Sequence, residues 1–211
     1  MDRSEFNPLR ETVYKIMDAG GYVNAHAHID RAYTVDEKTF ARTKDHLFKK
    51  WLYVDELKSK SNVQDYHKRI TTALANQAFL RTQIICSFID IDPVCGQNAL
   101  AAAKLAAIEH EEVKLVIACQ TLKGVLQDEP RKLLEDSLED IDIIGSLPGA
   151  DAGQEAKHLD VVMGWAKSLN KRLHVHVDQL NTPLEKETEL LARKTMKHGL
   201  EGQVTAVHSL S

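Results

Sequence analysis

The chain has 211 residues, 43% of them hydrophobic and 27% charged, which is ordinary for a globular protein and excludes disordered and collagen-like classes. Its net charge of −4 leaves no electrostatic footprint for nucleic acid, and no basic patch is interleaved with aromatics. No run reaches the ~18 apolar residues of a membrane span, so we expect neither a nucleic-acid nor a membrane partner.

Asp2, Arg3, Glu5, Arg10 and Glu11 interrupt the N-terminus and rule out the apolar core of a secretory signal, so a cytoplasmic location is expected. Residues 1–20 read as a short amphipathic helix with Leu9, Val13, Ile16 and Met17 at helical spacing, a packing lead-in that Gly20-Gly21 ends. A strand over 22–28 follows, then a loop over 29–37. The spacing predicts helices over 39–60 and 63–80, with Lys44, Lys49 and Lys50 on a solvated face beside Asp45, Asp55 and Glu56.

From there strands are expected at 83–90, 113–119, 141–145, 172–177 and 203–208, with helices at 97–110, 129–138, 153–169 and 183–198 between them. Strands apolar on both faces and separated by helices of ten or more residues imply parallel βαβ units, because a parallel pair needs a long crossover. The fold class is α/β. Polar residues gather at the C-terminal ends of nearly every strand, where (β/α)8 barrels of the TIM type carry their chemistry, so that barrel is favoured over a doubly wound sheet. About six of its eight strands lie in this sequence.

Neither GxGxxG nor GxxxxGK[ST] occurs, which disfavours nucleotide cofactors, and GxSxG is also absent. Cys86, Cys95 and Cys119 are odd in number and lack CxxC spacing, so they read as small core residues rather than disulfides or a thiolate zinc site.

The chemistry concentrates in histidines. His26, His28 and Asp30 share one face of the first strand, and His174, His176 and Asp178 repeat the pattern on the fifth. His208 ends the sixth. Neutral imidazoles are zinc ligands and also suit iron(II), and buried ones need partners that a shared metal supplies. Spacing alone allows a site with His26, His28, His174 and His176. His176 stands one pleat nearer the barrel mouth than His174, so we take it as the ligand and His174 as interior support. His46, His67, His110, His158 and His198 lie beside charged residues in helical stretches and read as solvated.

Taken together, Val23-Asn24-Ala25-His26-Ala27-His28-Ile29-Asp30-Arg31, His158-Leu159-Asp160, His176-Val177-Asp178-Gln179 and Ala206-Val207-His208-Ser209 resemble, in order, the landmarks of the amidohydrolase superfamily and its cytosine deaminase-like group. The resemblance runs from about residue 22 to the end. It implies that His26, His28 and His176 bind one divalent metal, zinc or iron(II), and that His208 contacts the hydrolytic water or the substrate. No lysine stands in strand four to serve as a carbamylated bridge, which implies a mononuclear site. A metal on three neutral ligands lowers the pKa of bound water towards ~7, so a C–N bond can be attacked at neutral pH.

The expected activity is therefore metal-dependent hydrolysis of C–N bonds in cyclic or heterocyclic amides and amidines, small molecules all. His208 and Asp178 handle protons, Gln179 orients the substrate, and Gln120 and Asp151 line its pocket. Gln179 stands where cytosine deaminases carry a glutamate, and it cannot titrate, which argues against cytosine itself. The family's last aspartate ligand and strands seven and eight have no counterpart in this sequence. Residues 1–211 thus read as a single, incomplete barrel domain, weakly active alone, with a second copy or a completing chain expected at the open edge. The alternative is a catalytically inactive truncated barrel that acts by association.

Overall fold

A computed structural model describes residues 8–180 and 182–209, so the first seven residues of the lead-in helix lie outside the described residues. The rest of that helix is α1 (Pro8–Asp18), and it fully buries none of its residues: Leu9 and Met17 stay exposed while Val13, Tyr14 and Ile16 are half-buried, so one face is only partly covered. Gly20 and Gly21 both take left-handed φ angles, and a Cβ on Gly21 would lie 2.0 Å from the Arg81 carbonyl oxygen. Only glycine fits that turn.

Six strands follow: β1 (Tyr22–Ala27), β2 (Thr82–Asp90), β3 (Lys114–Gln120), β4 (Ile143–Ser146), β5 (Arg172–Val177) and β6 (Val204–His208). They form one sheet in sequence order, and every neighbouring pair is parallel. A flat sheet would hold its two edge strands about 24 Å apart, at ~4.8 Å per step. Yet the rings of His26 on β1 and His208 on β6 have centroids 6.0 Å apart. The sheet therefore curls towards closure, as in a (β/α)8 barrel.

The helices of the crossovers are α2 (Leu47–Lys60), α3 (Val63–Phe79), α4 (Asn98–Glu109), α5 (Asp128–Glu135), α6 (Glu155–Leu169) and α7 (Glu187–His198). Their inward faces meet alternate strand residues in the main core. Tyr66, Ile70 and Leu74 of α3 and the alanines 99, 102, 103 and 106 of α4 pack with Ile85 and Ile89 of β2. The intervening positions, Cys86 and Phe88 with Ala118 of β3, form a small second core inside the curl. This is the period-two division of a strand buried on both faces.

Two helices begin later than the spacing predicts, and each for a reason outside its own periodicity. The helix expected over 39–60 is split: Phe40–Lys44 is a 3-10 turn, Asp45 and His46 are extended, and α2 starts at Leu47. The Asp45 carboxylate accepts from Lys49 and the Tyr53 hydroxyl along the new helix. Similarly, α7 starts at Glu187 rather than 183, because the Asp178 carboxylate accepts from the Glu187 and Thr188 N–H groups and so fixes the first turn. Cys86, Cys95 and Cys119 are buried and free, as a core role requires. Among the described residues no helix is long and apolar enough to cross a membrane.

Candidate metal centre

The curl brings the C-terminal ends of β1, β5 and β6 to one place. Ligand nitrogens of His26, His28 and His176 all lie within 4.8 Å of one another. Their ring centroids are 5.1 to 5.5 Å apart, and His208 stands 5.4 Å from His176. Phe88, fully buried, underlies all three ligand candidates at 4.4 to 5.4 Å. Its ring has room because residue 145 is glycine: a Cβ there would meet Phe88 at 2.8 Å and the Cys119 carbonyl oxygen at 1.7 Å.

Burial is the main influence on these imidazoles. It pushes His176 down to about 3, with the charges of His26 and His208 adding to it. His26 is lowered by burial, then by His208, and His28 by burial, then by Arg31. All three are neutral at physiological pH, the state that ligates metals. Both ring nitrogens of His176 and Nδ1 of His26 are buried without a hydrogen-bond partner. Stranding such atoms costs ~1–3 kcal/mol each. Converging neutral nitrogens with unspent lone pairs fit a divalent metal of the zinc or iron(II) kind.

Arg31 touches the group directly, its Nη2 2.5 Å from His28 Nδ1. A guanidinium only donates, so Nδ1 accepts and a neutral His28 carries its proton on Nε2. A cation reaching His28 therefore replaces either that proton or the Arg31 contact. Behind Arg31 lies a buried charge cluster. Its Nε is 3.6 Å from Asp90 Oδ2 and 3.9 Å from Asp30 Oδ1, and Asp30 accepts from the Asp90 N–H at 3.0 Å. Burial, then the charge of Asp90, pushes Asp30 up to about 7. Asp30 thus ties β1 to the end of β2.

Lys58 completes the cluster, with Nζ 2.5 Å from Asp92 and 3.3 Å from Asp90 at 1% exposure. Burial works against its charge, and the two carboxylates more than reverse that. The sequence reading missed it. One signal existed: Lys58 follows Trp51 and Val54 at apolar helical spacing, a position a solvated lysine does not occupy.

The other expected site residues divide. Gln120, Gln179 and His208 line the mouth with His28 and His176. Lys50 also lines it, unlike exposed Lys44 and Lys49, so the expected solvated face holds for two of the three. The carboxylate of Asp178 is committed to α7, where it also accepts from the Thr188 hydroxyl. Asp151 accepts from the Val125 N–H at 2.7 Å and lies 2.6 Å from His158 Nδ1. Gly124 admits it, since a Cβ there would come within 2.3 Å of the carboxylate. His174 is half-buried, its ring 6.4 Å from that of Phe88. His158 is not solvated: it has 0% exposure and its Nε2 is 2.8 Å from Ser146 Oγ. It shares the inner face of α6 with Leu159, Val162 and Met163, which outweighs its charged neighbours.

No family model matches the chain. An uncharacterized protein of Haemophilus influenzae is 41% identical over 202 residues, covering 93% of this chain and 73% of that protein. The chain belongs to that protein's family. Among solved structures, 5-methylcytosine deaminase from Klebsiella pneumoniae with phosphonocytosine superposes with a TM-score of 0.79 at 22% identity. N-isopropylammelide isopropylaminohydrolase from Burkholderia multivorans gives 0.68 at 23%, and atrazine chlorohydrolase from Arthrobacter aurescens, complexed with zinc, 0.65 at 14%. These matches cover 88 to 90% of this chain but only 46 to 48% of theirs, so the chain spans about half the length of those enzymes. The chain shares the barrel fold of these enzymes, the (β/α)8 type that the strand pattern led us to expect.

Proposed function

We propose that this chain carries the metal-binding part of a hydrolase acting on C–N bonds of cyclic or heterocyclic amides and amidines. The observation that carries the reading is the convergence of His26, His28 and His176, all neutral and with nitrogens of His26 and His176 left without hydrogen bonds, at the strand ends of an amidohydrolase-type barrel. One zinc or iron(II) held there supplies Lewis acidity, which makes water nucleophilic near neutral pH and polarises the carbon under attack.

The protein's own groups do the rest. His208, at the mouth beside His176, is the group we assign to carry the proton from water to the departing nitrogen. Gln120 and Gln179 orient a ring that offers both donors and acceptors, and the Gln120 Oε1 is buried without a partner. Asp178 and Asp151 hold α7 and the loop after β3, so in this reading they position the mouth rather than touch substrate. Three free, buried cysteines support a reducing, cytoplasmic setting.

The test is ammonia or amine release from a panel of cyclic amides, cytosine analogues and triazines by the zinc-loaded chain. We expect slow zinc-dependent release from at least one, abolished in His176→Ala and reduced in His208→Ala. Neither release nor binding of any panel member that depends on zinc would overturn the reading.

A further inference from the structure

A second cavity, of about 520 Å3, adjoins the mouth. Leu47, Trp51 and Gln179 line both spaces. Its walls include the aromatic pair Phe48 and Trp51 of α2, edge to face at 5.3 Å, and Phe48 is 52% exposed. Trp51 is half-covered and Phe48 is not, so this end of the helix has apolar surface to give to something else.

The charged groups in the lining are Glu155, Glu185, Glu187 and, with the opposite sign, Lys186. Glu185 is used internally, since its two oxygens accept from the Leu180 and Thr182 N–H groups. Glu155 accepts from the Gly153 N–H with one oxygen. Glu187 is held from both ends: its Oε2 accepts from the Asp178 N–H at 3.0 Å, and its own N–H donates to Asp178 Oδ1 at 3.1 Å. Its other oxygen, Oε1, faces the space over Gly149, where a Cβ would stand 3.3 Å away. Burial, then the nearby charges of Asp178, Glu155 and Glu185, raise this carboxyl against the lowering effect of the Asp178 N–H.

We propose that this cavity is the subsite for the part of the substrate remote from the scissile bond, and that it takes an organic cation, an ammonium, amidinium or guanidinium on a flat apolar arm. The arm lies against Leu147 and Leu190, the cation faces the Trp51 and Phe48 rings, and Glu187 Oε1 accepts its N–H. The inference rests on reading the histidine cluster as the reaction centre, because the shared wall is what joins the two spaces.

Benzamidinium and its neutral isostere benzamide test it, titrated into the zinc-loaded chain and followed by NMR. We expect benzamidinium to bind about tenfold or more tightly than benzamide. The preference disappears in Glu187→Gln, which keeps an acceptor for the Asp178 N–H, weakens in Trp51→Leu, and survives in His26→Ala. Equal binding of the two probes, or a preference that persists in Glu187→Gln, overturns the proposal. Should that variant not fold, Trp51→Leu decides: it removes the ring the cation is proposed to face, so an unchanged preference there is equally fatal. Failure of the metal reading appears separately, as a wild-type chain that takes up no zinc yet still selects benzamidinium.

Discussion

His158 and His176 are both buried imidazoles, at 0% and 2% exposure, and they are held in opposite ways. Each ring nitrogen of His158 meets a protein group, Ser146 Oγ at 2.8 Å and Asp151 Oδ2 at 2.6 Å. Neither nitrogen of His176 makes a full hydrogen bond, although the Ser146 backbone stands near its ring. The surroundings differ in charge rather than in hydrogen bonding: Asp30 Oδ1, Arg31 Nε and both Asp90 carboxylate oxygens also lack hydrogen bonds, but Lys58 and Arg31 set opposite charge against Asp90 and Asp92, whereas the neutral histidine group faces a mouth. Burial alone therefore does not mark a ligand. Burial that leaves converging neutral nitrogens over, with no opposite charge beside them, is the stronger sign, because buried polar groups are usually paired.

The comparison breaks most sharply at Lys58. Replacing it with Met leaves Asp90 and Asp92 buried without their cation, which should cost about 3–5 kcal/mol in a urea unfolding titration. A smaller loss would mean that Arg31 alone neutralises the cluster. The histidine pair comes next. His158→Leu removes two hydrogen bonds and strands the Ser146 hydroxyl, an expected loss of about 2 kcal/mol. His176→Leu in the metal-free chain removes two buried nitrogens that lack full hydrogen bonds, so it should leave the chain at least as stable as the wild type. Equal losses would erase the distinction.

The smallest effect concerns groups that are buried and also uncharged. Burial pushes Cys95 up to about 12 and Cys119 up to about 11, and it raises Cys86 as well. At pH 8 the folded chain should leave all three thiols unreacted with a disulfide reagent, and denaturant should release all three. Fast reaction of the native chain would show that the core opens locally.

Much of this was legible in the sequence because it is written in local pattern. Apolar runs between helical stretches located all six strands, and the repeat of His-x-His on β1 and β5 offered His26, His28, His174 and His176, from which nearness to the barrel mouth chose His176. What escaped depends on contacts between distant segments. The start of α7 follows from the Asp178 carboxylate, which accepts from N–H groups nine and ten residues on, and nothing in the spacing says which N–H it will meet. His158 looked solvated beside Lys157 and Asp160, although its spacing with Leu159 and Val162 put it on the inner face. Phe88 under the histidines follows from the curl, which no single strand encodes.

The most direct test is metal content of the purified chain by elemental analysis, with His26→Ala, His176→Ala and His158→Leu alongside. We expect about one zinc or iron per wild-type chain, lost in the first two variants and retained in His158→Leu. A wild-type chain that holds neither metal, or a His176→Ala chain that holds as much as wild type, would contradict the assignment of the unpartnered histidines as ligands.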